Sequence, residues 1–149
     1  MATPDQPRHV PAAGMEVYFN RVVHFLTRKG ISLLGTRVLA VRGRTSGEWR
    51  TNPVNVLACD GARYLVAPRG QTQWVRNIRA AGGGELRLGR RTETFTVTEL
   101  PDEQKPPLLR DYFQRWGWEV ARFFDEDIKK ADDDRLAAIA PSVPVFRID

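Results

Sequence analysis

The sequence predicts a mainly β domain with flanking helices (α+β), its strands joined into a closed or partly closed antiparallel barrel. Three observations predict it. Short turns join most of the strand candidates: Gly43-Arg44-Thr45-Ser46-Gly47, Asp60-Gly61 and Gly89-Arg90-Arg91. Connections that short hold neighbouring strands antiparallel. Six short β-rich segments fall within 149 residues, a density that suits a barrel. Strand and helix do not alternate throughout, as a doubly wound parallel sheet requires.

Taken in order, residues 1–13 carry Pro4, Pro7 and Pro11 and read as a mobile lead-in, and residues 14–149 read as one domain. Residues 14–29 have the spacing of a helix, with Met15, Tyr18, Phe19, Val22, Val23, Phe25 and Leu26 as a broad apolar stripe and Gly30 as its stop. Packing on the barrel is the expected use of that stripe; weak contact of residues 14–30 with a membrane surface is the alternative. Strands follow at 36–42, 50–59 and 63–67. Pro53 lies inside the second, and a proline there implies a sheet edge or a bulge. Residues 72–81 read as a short helix ended by Gly82-Gly83-Gly84, and 85–88 and 92–100 as a second hairpin. Beyond Pro101 the chain turns helical and acidic: a helix from Pro106-Pro107 through Trp116, a short one over 132–140, and a closing strand over 143–148.

Composition removes several kinds of chemistry. Cys59 is the single cysteine, so no intrachain disulfide or cysteine-pair metal site exists. His9 and His24 are too few for a multi-histidine metal centre, and no metal site is expected. No Gly-x-Ser-x-Gly elbow accompanies them for a serine hydrolase. No apolar run is long enough to cross a membrane, and the first eleven residues lack a secretory-leader pattern, so a cytoplasmic location is expected, with a membrane-peripheral one as the alternative.

Charge is divided along the chain. Residues 1–91 hold 15 basic and 5 acidic residues; residues 92–149 hold 8 and 13. Between Arg37 and Arg91 stand eleven arginines, no lysine, and the acids Glu48, Asp60 and Glu85. Such a segment attracts anions, and the planar arginine fork suits phosphate and carboxylate. No recognition helix or RNA-binding aromatic motif accompanies it, so nucleic acid is not the expected partner.

Two stretches carry the candidate chemistry. In the first, Gly43 and Gly47 let the backbone bend, Thr45 and Ser46 offer hydroxyls, and Arg44 and Arg50 bring charge, with Asn52 and Pro53 following. This is a plausible phosphate cradle, though not a Walker loop, because no lysine follows. The second is Ala67-Pro68-Arg69-Gly70, then Gln73, Trp74, Arg76 and Asn77. It lies where a strand ends and a helix begins, where free backbone amides favour an anion. Trp74 there either packs on a planar ring or anchors the helix.

In combination and order, these motifs resemble the deazaflavin-dependent nitroreductase family of actinobacteria. The likeness runs over residues 35–100, with Pro144-Val145-Phe146-Arg147-Ile148 similar to that family's closing strand. It implies a split β-barrel related to the FMN-binding split barrels, and coenzyme F-420 (8-hydroxy-5-deazaflavin) as cofactor. By motif, Arg44, Thr45 and Ser46 match the loop that holds the cofactor's phosphate and acidic tail. Arg50, Asn52, Pro53 and Val54 match the strand bordering the deazaflavin. Ala67, Pro68, Arg69 and Gly70 match the next wall, and Trp74, Arg76 and Asn77 the helix completing the pocket. Tyr112 is the nearest match to the substrate-pocket tyrosines and the candidate proton donor. Lysine usually stands in that branch where this chain has Thr45, and often tyrosine where it has Val75. The function implied is hydride transfer from reduced coenzyme F-420 to a small organic acceptor: an activated alkene, a quinone or a nitro compound. The alternatives are an FMN-binding split-barrel protein and a non-catalytic deazaflavin carrier.

Overall fold

A computed structural model of the chain describes residues 36–120, 123, 124 and 127–149. The expected helix over 14–29 and the boundary after residue 13 lie outside these. Six strands form a closed barrel: β1 (Thr36–Arg42), β2 (Trp49–Cys59), β3 (Ala62–Val66), β4 (Gly83–Leu88), β5 (Arg91–Glu99) and β6 (Val145–Ile148). Their order around the barrel is β1-β2-β3-β6-β5-β4, and every pairing is antiparallel. Among the described residues three α-helices accompany them: α1 (Gln73–Ala81), α2 (Pro106–Val120) and α3 (Asp133–Ile139). The fold class read from the sequence is the one observed.

The hairpins form for the local reasons that announced them. Asp60 and Gly61 both have positive φ, 51° and 81°, as the tight turn between β2 and β3 requires. Pro53 sits opposite Val38 of β1, in the half of β2 whose register partners lie on β1 alone. Residues Val56–Cys59 pair with β3 instead. The strand therefore leaves one sheet and enters another, and the missing proline N–H falls where the ladder has a single neighbour. Strand β5 makes the same passage, from β4 over its first residues to β6 at Val97. These two transfers split the barrel.

Alternation along the strands sorts side chains into two cores. Leu39, Val41, Leu65, Leu86, Phe95 and Phe146 point inward and meet Val75 and Ile78 of α1, which plugs the barrel's mouth. Leu57, Val66 and Val145, on the opposite face, pack under α2 and α3 with Leu109, Phe113 and Ile139. Arg79 ties α1 to β5 through two hydrogen bonds to Glu99, at 2.8 and 2.7 Å. Lys105 is buried and its ammonium is spent structurally, donating to Asp102 at 2.7 Å and to the Ala140 carbonyl at 2.9 Å.

The run Gly82-Gly83-Gly84 corrects one expectation. Only Gly82 ends the helix, at φ 77°; Gly83 and Gly84 already belong to β4. Their lack of side chains is required by packing. A Cβ at Gly83 would lie 2.1 Å from the Phe95 carbonyl oxygen, and one at Gly84 2.5 Å from that of Ala40. The closing strand is likewise shorter than expected, because residues 140–142 form a 3-10 turn and β6 starts at Val145.

Two outcomes follow. Gly84→Ala forces β1 and β4 apart and should cost about 1–3 kcal/mol, the scale of overpacking a tight core; urea denaturation measures it. Bonding to Arg63 holds the Glu93 carboxyl below its ordinary pKa, and bonding to Thr98 and Arg147 does the same for Asp149. A depressed carboxylate stabilises the fold above its unfolded pKa, and that contribution fades as pH falls. Thermal stability should therefore drop on acidification below about pH 4, and less steeply in Glu93→Gln.

Candidate functional site

Because the first half of β2 has a single strand neighbour among the described residues, its other edge faces α1. The turn 43–47 caps one end of the gap. The result is a groove of about 800 Å³ lined by Gly43, Arg44, Thr45, Ser46, Trp49, Arg50, Thr51, Asn52, Gln73, Trp74 and Asn77. Register assigns the β2 side chains to faces. Asn52 pairs with inward-pointing Leu39 and shares its side of the sheet with Arg50, whereas Trp49 and Thr51 pair with Arg42 and Ala40 on the outer side.

The turn is built by its own bonds. The Gly43 N–H donates to the Glu48 carbonyl at 2.8 Å, the Gly47 N–H to the Gly43 carbonyl at 2.9 Å, and the Glu48 N–H to Ser46 Oγ at 3.2 Å. A Cβ on Gly43 would lie 2.9 Å from Ser46 Oγ, and Gly47 has φ 73°, so both glycines are used. Arg44 spans the groove. Its backbone N–H donates to Asn77 Oδ1 at 3.1 Å, and its Nη1 donates to Asn77 Oδ1 at 2.8 Å and to Gln73 Oε1 at 2.9 Å. Arg50 is well exposed and has the exposed Glu48 carboxylate 3.8 Å away, a contact worth little in water.

The lining residues include Arg44 and Arg50 and no acid, and with Glu48 beside Arg50 the groove is still net positive. Trp49, 37% exposed, stands at the rim with the Arg42 and Arg87 guanidinium carbons 4.1 and 5.2 Å from its ring centroid. Trp74 is half-buried, its ring 6.0 Å from that of Phe146, so it anchors α1 and also faces the groove. Cys59 takes no part: partial burial, with Asp60 and Asp111 beside it, pushes its thiol pKa up, away from a reactive thiolate. Among the described residues there is no cluster of metal-ligating side chains.

Of the residues singled out from sequence, Arg44, Thr45, Ser46, Arg50, Asn52, Trp74 and Asn77 meet in this groove. Pro53, Val54, Ala67, Pro68, Arg69, Gly70 and Arg76 do not line it. Ala67 is buried in the barrel core, its N–H bonded to the Pro144 carbonyl. Gly70, at φ 88°, turns the chain into α1. Tyr112 does not line the groove either. It is 3% exposed inside the second core, its ring 5.0 Å from that of Trp116 and 6.0 Å from that of Phe113. Helical spacing that placed it among Leu109, Phe113 and Trp116 pointed to the core all along. The sequence reading does not single out Trp49 or Thr51; counting the register of the β1–β2 hairpin from its turn finds Trp49 opposite Arg42. Gln73 is four residues before Asn77, on the same helix face.

Fold and groove together define a split-barrel protein with an open, arginine-bearing cleft. Residues 17–122 match the F-420H(2)-dependent quinone reductase family, and the chain belongs to that family. No curated protein sequence matches it. Solved structures agree in fold. An F-420-H2-dependent reductase (FDR-A) is 17% identical, with a TM-score of 0.53 over 77% of this chain and 94% of that one. The General Stress Protein 26 of Bacillus anthracis is 12% identical, with a TM-score of 0.52 over 89% and 88%. A NimC/NimA family protein of Clostridium acetobutylicum is 14% identical, with a TM-score of 0.50 over 86% and 79%.

Removing the Arg50 side chain as Arg50→Ala should weaken binding of an anionic cofactor by about 1.5–3 kcal/mol, the scale of a hydrogen bond to a charged group. Fluorescence titration at fixed ionic strength reads it. Tyr112→Phe should leave turnover of the cofactor-loaded protein unchanged, as measured by steady-state kinetics.

Proposed function

We propose that this chain is a reductase that holds coenzyme F-420 in the groove between β2 and α1 and passes its reducing equivalents to a small organic acceptor such as a quinone. The observation that carries the reading is the convergence of Arg44, Thr45, Ser46 and Arg50 with Asn52 and Trp74 on one cleft, in a chain of the F-420H(2)-dependent quinone reductase family. The donor set fits such a cofactor. Two arginines and two hydroxyls suit an anionic phosphate and tail, and an indole beside an amide suits a planar ring system. An activated alkene or a nitro compound remains within the same acceptor chemistry.

When bound, the deazaflavin supplies the hydride. The protein's part is binding and orientation. Thr45 and Ser46 hydroxyls and the Arg44 and Arg50 guanidinium groups hold the anionic end. Asn52 offers an amide to the ring's polar edge, and Trp74 offers an apolar wall. The described lining contains no aspartate, glutamate, histidine, lysine or tyrosine, and the proton that accompanies the hydride would be taken from solvent in the open groove. Reduction of a quinone asks for no stronger acid, because hydride addition leaves an aromatic phenolate, a group that titrates at about 10 and takes its proton from water.

The proposed setting is cytoplasmic. No helix among the described residues is long and apolar enough to cross a membrane. Contact of residues 14–30 with a membrane surface is a finer proposal, and vesicle flotation of the whole protein tests it.

The same cleft would accept FMN through its phosphate, and the two cofactors separate by charge. Coenzyme F-420 bears an acidic tail and more negative charge, so an arginine-bearing, acid-free groove should bind it more tightly at low ionic strength. That preference should shrink as salt rises and as the tail is shortened. Parallel titrations with both purified cofactors measure it. A preference for FMN overturns the reading. Tight F-420 binding with no turnover across a quinone, enone and nitroaromatic panel makes the protein a carrier.

A further inference from the structure

The turn at 43–47 is bonded chiefly to itself, and Arg44 is its bonded tie to α1 among the described residues. Asn77 receives that tie. It is 4% exposed in the middle of α1, and its Oδ1 accepts from both the Arg44 backbone N–H at 3.1 Å and Arg44 Nη1 at 2.8 Å. Two donors converging on one atom settle the amide's orientation, because the NH2 end could accept neither. The second hydrogen of Nη1 goes to Gln73 Oε1 at 2.9 Å.

Both hydrogens of Nη1 are thus spent, and Nε and Nη2 have no hydrogen bond among the described residues. Nη1 is the nitrogen cis to Cδ. The remaining pair, Nε and Nη2, forms the side-on edge of the guanidinium, a two-donor edge that matches phosphate or carboxylate oxygens. The guanidinium is held on one side and presented on the other, at the exposed rim of the groove.

We propose that Asn77 is a positioning residue. By anchoring Nη1 of Arg44, with Gln73 beside it, Asn77 aims the Nε–Nη2 edge as a pre-set fork for an oxyanion of the cofactor, and need not touch the cofactor itself. An arginine held this way loses less rotamer freedom on binding than a free one. The inference rests on the proposed function at one point, that the cofactor's anionic part meets Arg44.

The test is a double-mutant cycle read by fluorescence titration with coenzyme F-420, using the whole protein and thermal melts as the folding check. Asn77→Ala should weaken binding roughly tenfold in the native background, and by no more than about twofold when Arg44→Ala is already present, since residues acting through one contact do not add. Asn77→Asp keeps the acceptor and the shape, so it keeps the anchor: Arg44→Ala should cost at least as much affinity in the Asn77→Asp background as in the native one. If Asn77→Ala does not fold, that comparison decides alone. Equal losses from Asn77→Ala in both backgrounds, or disappearance of the Arg44→Ala loss in the Asn77→Asp background, overturn the proposal. So does native affinity in Asn77→Ala alongside weakened binding in Arg44→Ala, an outcome that leaves the proposed function standing. Native affinity in Arg44→Ala overturns both the cofactor's placement and the role of Asn77.

Discussion

Everything at the site depends on β2 having one neighbour along its first half and a different one along its second. A strand fully paired on both sides would have sealed the barrel at Trp49–Asn55 and left no groove. The transfer at Val56 opens that edge. Pro53, which lacks an N–H to donate, sits in the singly paired half. Leu57 beyond the transfer packs under α2, on the other side of the sheet from inward-facing Leu39 and Val41. The groove is therefore a consequence of how the barrel closes.

Helix α1 turns that opening into a site. Val75 and Ile78 sink into the barrel core, and the pair Arg79–Glu99 fixes the helix against β5. With one face committed to the core, Gln73, Trp74 and Asn77 come to face the groove. Apolar burial sets the helix's position, and polar bonds set what it presents. The glycines at 83 and 84 belong to the same arrangement. The chain must leave α1 and join β4 against the backbones of β5 and β1, with no room for a Cβ.

Charge distribution leaves the groove net positive. Described acids of the C-terminal part cap helices or pair with bases outside the groove's lining, as Asp132 does by accepting from the Arg135 N–H at the start of α3. Arginines of the first part meet few acids near the cleft, and Glu48 and Glu85 there are outnumbered by Arg42, Arg44, Arg50 and Arg87. An open cleft with this imbalance draws anions at long range and binds them at short range through arginine forks.

The sequence alone is enough for the strands, the hairpin turns and the antiparallel class, because each rests on local rules: positive φ at Asp60-Gly61, alternation around Phe95 and Val97, proline at a sheet edge. It also determined that Arg44, Thr45, Ser46 and Arg50 would stand close together, since one tight turn joins them. What it could not decide was which more distant residues reach that turn. Asn77, thirty-three positions beyond Arg44, arrives because α1 folds back over the open edge of β2. The stretch 67–70 leads into the same helix yet is drawn into the core and the entry to α1. Tyr112 follows the apolar stripe of α2 inward, away from the cleft. In each case the deciding term is the burial of apolar surface, which acts through the whole closed barrel and leaves no signature in the few residues on either side.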